Sequence, residues 1–351
     1  MFYRSGLKDI GTLTMDDYTN YADYDVALFM TYKKDLENLK IAKQSHPELR
    51  VGLLDPRGSQ VEEYLPFVDF LVVDSIEMKD FFAKYNIPIH TYYEYANVPV
   101  IAKVHEKKET IILGYHGNKV HLTAMYPEII SAIELLGKKY SLEIWAMYNF
   151  EHLGKWNIGL PKSVKVRHIQ WSMENYENIL SQVDIGLVPA CMPIYHLKKI
   201  KLRTRVSRFF LDSSDDYLIR FKMPSNPGRL IVFAKLGIPV IADFLPSNIH
   251  FINDEENGLL AYSMGGWYQA IEKLIQSKEL RQKYGDNMLK TYYKTFDYAV
   301  QNEKFLIFLN EFSVNKTGKI LENQKNWIEN LKFNNAYLWD RIIYKLTKGK
   351  K

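Results

Sequence analysis

The chain has 351 residues, 47% of them hydrophobic, with a formal net charge of +5 and one cysteine. That supplies a substantial core over a length that suits two domains, and the lone Cys191 excludes an internal disulfide and fits a reducing compartment. No apolar run approaches the ~20 residues that cross a bilayer, and the stretch MFYRSGLKDIGTLTMDDY lacks the apolar core of a signal peptide, so a cytoplasmic protein is expected, with contact at a membrane surface left open.

The first part of the chain alternates strand-like and helix-like segments. DVALFMT reads as a strand, DLENLKIAKQ as a helix and RVGLL as a strand. VDFLVVD, SIEMKDFFAKY and IPIHTYY repeat strand, helix, strand. This alternation implies βαβ units around a parallel sheet. ANVPVIAKVHEKKE turns polar and charged and reads as a linker.

The pattern restarts at TIILGYHG. A helix is expected from about His121 to Leu136, then strands LEIWAMY and VKVRHI, the helix MENYENILSQ and the strand DIGLVP. The segment LKKIKLRTRVSRFF then brings Lys198, Lys199, Lys201, Arg203, Arg205 and Arg208 together with no acid. Such a run fits a nucleic acid, an anionic lipid surface, a phosphorylated substrate or a solvated loop. The aromatic residues form no RNA-binding signature, so no nucleic-acid partner is expected.

The alternation resumes in FKMPSNPGRLIVFAKLGIPVIAD. Leu230, Ile231, Val232, Phe233, Ala234 and Leu236 leave almost no polar face, and a helix apolar all round is buried. Gly237 stops it, and IPVIAD is a strand of the kind buried in parallel sheets. NGLLAY is a short strand, and the chain is mainly helical from Gly266, ending in an amphipathic stretch with a basic end.

Ligands in open parallel sheets bind beyond the carboxyl ends of the strands. Three such ends are polar. GYHGNK offers Gly117, Asn118 and Lys119, with His116 and His121 beside them; a plain turn explains it about as well. HIQWSMEN offers Gln170 and Trp171 to a flat base, the bland alternative being a core tryptophan. The third is the start of the buried helix, where Lys222, Ser225, Asn226 and Arg229 gather. A helix N-terminus carries free N–H groups and partial positive charge, so added cations there are unfavourable unless an anion binds. The set suits a diphosphate. No histidine spacing suggests a metal, and no Gly-x-Ser-x-Gly elbow is present.

Together ILGYHGN, VDIGLVP, KMPSNPGRLIVFAKLGIPVIAD and NDEENGLLAY resemble, in order, the nucleotide-binding domain of GT-B glycosyltransferases. The likeness is to the large retaining family that uses nucleotide-diphosphate sugars, glycosyltransferase family 4. It runs from about Ile111 to Phe308, and VDFLVVDSIEMKDFF and YANVPV fit the family's N-terminal domain. The resemblance implies an α/β protein of two Rossmann-like domains facing across a cleft, with C-terminal helices. The expected division is 1–105 acceptor-side domain, 106–308 donor domain and 309–351 helical tail, which in the family often crosses back to the first domain.

The implied activity is transfer of a sugar from a nucleotide-diphosphate sugar to a surface-glycan or lipid-linked acceptor, without a metal or other cofactor. Gly117, Asn118, Lys119, Lys222, Ser225, Asn226 and Arg229 would then serve the donor diphosphate. Gln170 and Trp171 would serve the base, and His116 would stand near the reacting sugar. The basic run would touch a membrane or a phosphorylated acceptor. Many members carry two glutamates eight positions apart, which hold the donor sugar and ribose; here those positions are Pro224 and Val232. That departure keeps open a noncatalytic nucleotide-sugar-binding subunit, and more distantly a sugar-nucleotide 2-epimerase.

Overall fold

The computed structural model describes residues 21–30, 35–56, 61–93, 96–191 and 226–314. Its first sheet is built from β1 (Val26–Phe29), β2 (Arg50–Leu54), β3 (Phe70–Val73) and β4 (Ile89–Thr91), all parallel and in that order. Every residue of β3 is buried, as expected of a strand covered on both faces. The intervening helices are α1 (Asp35–Ser45), α2 (Val61–Tyr64) and α3 (Ile76–Ala83). Ser75 starts α3, its hydroxyl accepting the Met78 N–H at 3.2 Å.

The second sheet has six parallel strands, β5 (Thr110–His116), β6 (Ser141–Tyr148), β7 (Lys165–Gln170), β8 (Ile185–Val188), β9 (Val240–Asp243) and β10 (Leu259–Ala261). Their spatial order is β10-β9-β8-β5-β6-β7. The single helix expected from His121 to Leu136 is two, α4 (Lys119–Ala124) and α5 (Glu128–Gly137). Pro127 divides them: it has no N–H to continue α4 and stands at the start of α5. After α6 (Phe150–Leu153) comes α7 (Tyr176–Leu180), a shorter helix than MENYENILSQ suggests.

The buried helix is α8 (Gly228–Lys235), with Leu230 to Lys235 all inside. It ends at Gly237, whose φ of +64° is a left-handed conformation suited to glycine. The remaining helices are α9 (Pro246–Phe251), α10 (Met264–Gln276), α11 (Lys278–Thr291) and α12 (Tyr298–Val314). None of the helices among the described residues is long and apolar enough to cross a membrane.

The polar segment after β4 has no regular structure, yet it is bound along its length to the second domain. The Ile101 N–H donates to the Lys235 carbonyl at 2.7 Å, and the Lys235 ammonium donates back to the Ala96 carbonyl at 2.9 Å. Lys103 donates to the Val183 carbonyl at 2.7 Å, and Arg281 to the Glu106 carbonyl at 2.6 Å. Of its charged residues Lys103 turns inward onto backbone carbonyls, whereas Glu106, Lys107, Lys108 and Glu109 are exposed.

Helix α12 returns to the first sheet. Phe305 packs with Phe70, Val72 and Tyr92, and the Tyr92 hydroxyl donates to Asn302 Oδ1 at 2.6 Å. The helix runs across position 309, where the sequence reading starts the tail.

Close packing around Gly237 gives a stability prediction. A β-carbon on Gly285 would stand 2.4 Å from the Gly237 carbonyl oxygen, which also meets His105 Nε2 at 2.9 Å. Alanine favours a helix over glycine by ~1 kcal/mol, but overpacking typically costs about 1–3 kcal/mol. The obstacle here is backbone fixed by a left-handed residue, so the cost wins. Gly285→Ala should lower the melting temperature by several degrees; an unchanged or higher value in thermal denaturation would refute this packing.

Candidate functional site

In the second sheet β5 lies between β8 and β6, so the connections diverge on either side of it. A parallel sheet opens a crevice at such a switch point, beyond the strands' carboxyl ends. The ends that meet there carry Tyr115, His116 and Gly117 from β5, Pro189 to Cys191 after β8, and Asp243 from β9. The start of α8 adjoins them.

Arg229 links these pieces. Its guanidinium donates to the Pro189 carbonyl at 2.8 Å and lies 5.9 Å from the centre of the Tyr115 ring. Burial lowers its pKa, and Tyr115 and Asp243 counter that. The side chain thus turns inward rather than out along the helix surface. Asp243 accepts from the Ala190 and Cys191 N–H groups at 2.5 and 2.7 Å, which fixes the chain as it leaves β8. Burial pushes the Asp243 carboxyl up to about 6 despite those bonds.

His116 lies against Phe233 of α8, ring centres 4.9 Å apart. Burial, then the Arg229 charge, lowers its pKa to about 3, so the imidazole is neutral. Its Nε2 is buried and has no hydrogen-bond partner among the described residues. A neutral imidazole next to a guanidinium can donate or accept one hydrogen bond, but carries no cation of its own.

The other expected residues are placed as follows. Gly117 has φ +137°, and a β-carbon there would meet the Tyr115 hydroxyl at 2.9 Å and Arg229 Cδ at 3.3 Å. Its N–H donates to the Met147 carbonyl at 3.1 Å, so glycine serves close packing here rather than a free amide. Asn118 caps α4, accepting from the Val120 N–H at 3.0 Å. Lys119 donates to the Leu153 carbonyl at 2.9 Å from an exposed position.

Gln170 ends β7, the edge strand two places from β5, and Trp171 follows it. Gln170 ties its own loop together, donating to Asn149 Oδ1 at 3.1 Å and accepting from the Glu151 N–H at 3.1 Å. Trp171 is 37% exposed, so it is not a core tryptophan. Lys222, Ser225, Pro224 and the basic run from Lys198 to Arg208 lie outside the described residues.

Helix α8 starts at Gly228. Pro227 is the cap residue, and Asn226 Oδ1 accepts the Gly228 N–H at 3.0 Å. The Asn226 Nδ2 donates to Asp74 Oδ2, at the end of β3, at 2.9 Å. Nearby Glu77 accepts from both the N–H and the hydroxyl of Ser247, at 2.8 and 2.6 Å. Sequence reading passed over Asp74, Glu77, Tyr115 and Asp243. The signal available was an acid closing each buried strand, in FLVVD and VIAD, at the edge where ligands bind.

The structure therefore brings His116, Gly117 and Arg229 together, joined by Tyr115 and Asp243, and leaves Gln170 and Trp171 at the periphery. The class this defines is the GT-B fold: two Rossmann-like α/β domains with parallel sheets, joined by a strap and by a last helix that returns to the first.

Solved structures share that arrangement. A glycosyltransferase from Rickettsia africae superposes with a TM-score of 0.56 at 12% identity, over 84% of this chain and 78% of that one. HepE of Anabaena, solved with UDP, gives 0.55 at 11% identity over 87% and 82%. The pneumococcal O-GlcNAc transferase GtfA, solved with UDP and GlcNAc, gives 0.52 at 14% identity; this chain covers 56% of it. No protein-family model and no curated protein matches the sequence.

Proposed function

We propose that the protein is a glycosyltransferase that binds a nucleotide-diphosphate sugar at the switch point of its second domain. The observation that carries this reading is Arg229, a guanidinium held between the ends of β5 and β8 at the start of a buried helix. Guanidinium and helix N-terminus together stabilise the charge that develops on a leaving diphosphate. Neutral His116, at the end of β5 beside the same crevice, is assigned to the reacting sugar. This chemistry needs no bound metal, and we assign a retaining outcome, a glycan or lipid-linked acceptor, and an acceptor or membrane contact for the basic run. The solved relatives of this fold that hold UDP support the donor class.

A second reading, a noncatalytic binding subunit, is favoured by one feature. Val232, where the resemblance implies a ribose-holding glutamate, is buried in the apolar core and offers no carboxylate. Incubation with UDP-, GDP- and dTDP-sugars separates the two. Slow release of nucleotide from one donor is the expected result. Tight binding without release favours the subunit, and no binding to any donor contradicts both.

A further inference from the structure

A cavity of about 310 Å³ opens at the amino-terminal edge of the second sheet, the end opposite the crevice. One wall is the segment between the domains, with Lys107, Lys108 and Glu109; another is the junction of α10 and α11, with Lys278, Glu279 and Arg281. The charges on these walls are unequally answered. Lys108 is bonded to Asp184 at 2.6 Å, and Glu279 is held by the Ser277 hydroxyl at 3.1 Å. Lys107 and Lys278 have no hydrogen-bond or ion-pair partner among the described residues. Arg281 is 1% exposed, and a buried charge is ordinarily bonded to an opposite one. Its guanidinium instead donates to carbonyls, those of Leu274 at 2.7 Å, Ile275 at 3.2 Å and Glu106 at 2.6 Å. The charges of Asp184 and Glu279 reach it only through space. Its Nε–H is buried and has no acceptor among the described residues. An orphaned buried donor in a cavity wall marks a place for an acceptor from outside the chain.

We propose that this cavity binds the phosphoryl group of a small phosphomonoester, separately from the nucleotide crevice. Two unanswered ammonium groups and a buried guanidinium suit a dianion with three acceptor oxygens. Lys107 and Lys278 bond the oxygens, and Arg281 adds its charge from within the wall, where low-dielectric surroundings strengthen it. Glu109, exposed on the same wall, is the opposing charge and is outnumbered by these three cations. Ile111, Ile275 and the Tyr140 ring give the organic part an apolar wall. The volume stands at the lower end of small-molecule sites, about 300–1,000 Å³, which suits a phosphoryl group carrying a few carbons. Since Lys107 lies on the segment between the domains and Lys278 on α11, the bound ligand ties that segment to the second domain.

Lys107→Gln combined with Lys278→Gln tests this, because both side chains are exposed and unbonded, so the fold does not depend on them. A melting curve checks that the double variant is folded. Calorimetric titration with glycerol phosphate and with inorganic phosphate should show both binding the unsubstituted chain, and the double variant binding each about tenfold more weakly or worse. Saturating UDP separates the cavity from the crevice: affinity for glycerol phosphate should stay within about twofold when UDP is present. Binding that UDP abolishes and the double variant keeps overturns the proposal and puts the phosphoryl group in the crevice. Equal affinity of the double variant and the unsubstituted chain also overturns it. Binding of inorganic phosphate without glycerol phosphate overturns the assignment to a phosphomonoester. No heat from either probe overturns the proposal as well, and leaves the nucleotide reading to its own test.

Discussion

Arg229→Ala should weaken UDP binding by about ten- to a hundredfold, the value of a hydrogen bond to a charged group of roughly 1.5–3 kcal/mol. The sequence alone suggests that this change leaves stability untouched or slightly improved, because a cation near a helix N-terminus is unfavourable without an anion. The structure reverses that expectation. The guanidinium satisfies the Pro189 carbonyl, its stem lies beside Gly117, and it is a counter-charge for buried Asp243. Removing one partner of a buried charged group strands the rest, so the free variant should also melt at lower temperature. Arg229→Lys separates the two effects. It keeps the charge but not the planar fork that bonds a phosphate twice. It should recover part of the melting temperature and little of the affinity. Titration with UDP, with a melting curve for each variant, reads both. Unchanged affinity in a folded Arg229→Ala would remove Arg229 from the site.

The second large effect is acid lability. His90, His105 and His116 are held near pKa values of about 4, 4 and 3, in each case chiefly by burial. Unfolded, each returns to ~6.5. The unfolded chain therefore binds these protons more tightly, and stability falls as pH drops from about 6.5 toward the folded values. Asp243 acts in the opposite sense. Its carboxyl is pushed up to about 6 by burial, so the stability it contributes is present at low pH and lost as pH rises through that value. Between about pH 4 and 6 three protons are taken up on unfolding and one is released, a net slope of roughly 3 kcal/mol per pH unit. Melting temperature should drop steeply from pH 6.5 to 5. His105→Gln, which keeps a donor for the Gly237 carbonyl, should make the fall shallower by about one proton. A melting temperature that is flat or rises over that interval would show that these imidazoles are charged in the folded protein.

What could be read in advance divides by range along the chain. Strands β3, β5, β8 and β9 were legible because they are continuous apolar runs, the pattern of a sheet covered on both faces. Gly237 was legible because a left-handed helix end asks for glycine. The split at Pro127 was written in the sequence and overridden by the apolar periodicity on either side of it. Strand order was not legible: nothing in DIGLVP says that it lies against TIILGYH, and that neighbour relation creates the crevice.

The partners of the site residues were hidden for the same reason. The residue type of Asn226 and its place at a helix start suit a ligand donor. Its acceptor is Asp74, 152 positions away on the other domain. Lys103 and His105 looked like solvated charges of a linker, since sequence cannot show that Val183 and Gly237 offer them carbonyls.

A crystal structure of the protein grown with UDP would show whether a nucleotide diphosphate sits at the start of α8. Both phosphates are expected beside Arg229, with the guanidinium bonded to at least one of them. UDP bound elsewhere, with Arg229 still on the Pro189 carbonyl, would contradict that site.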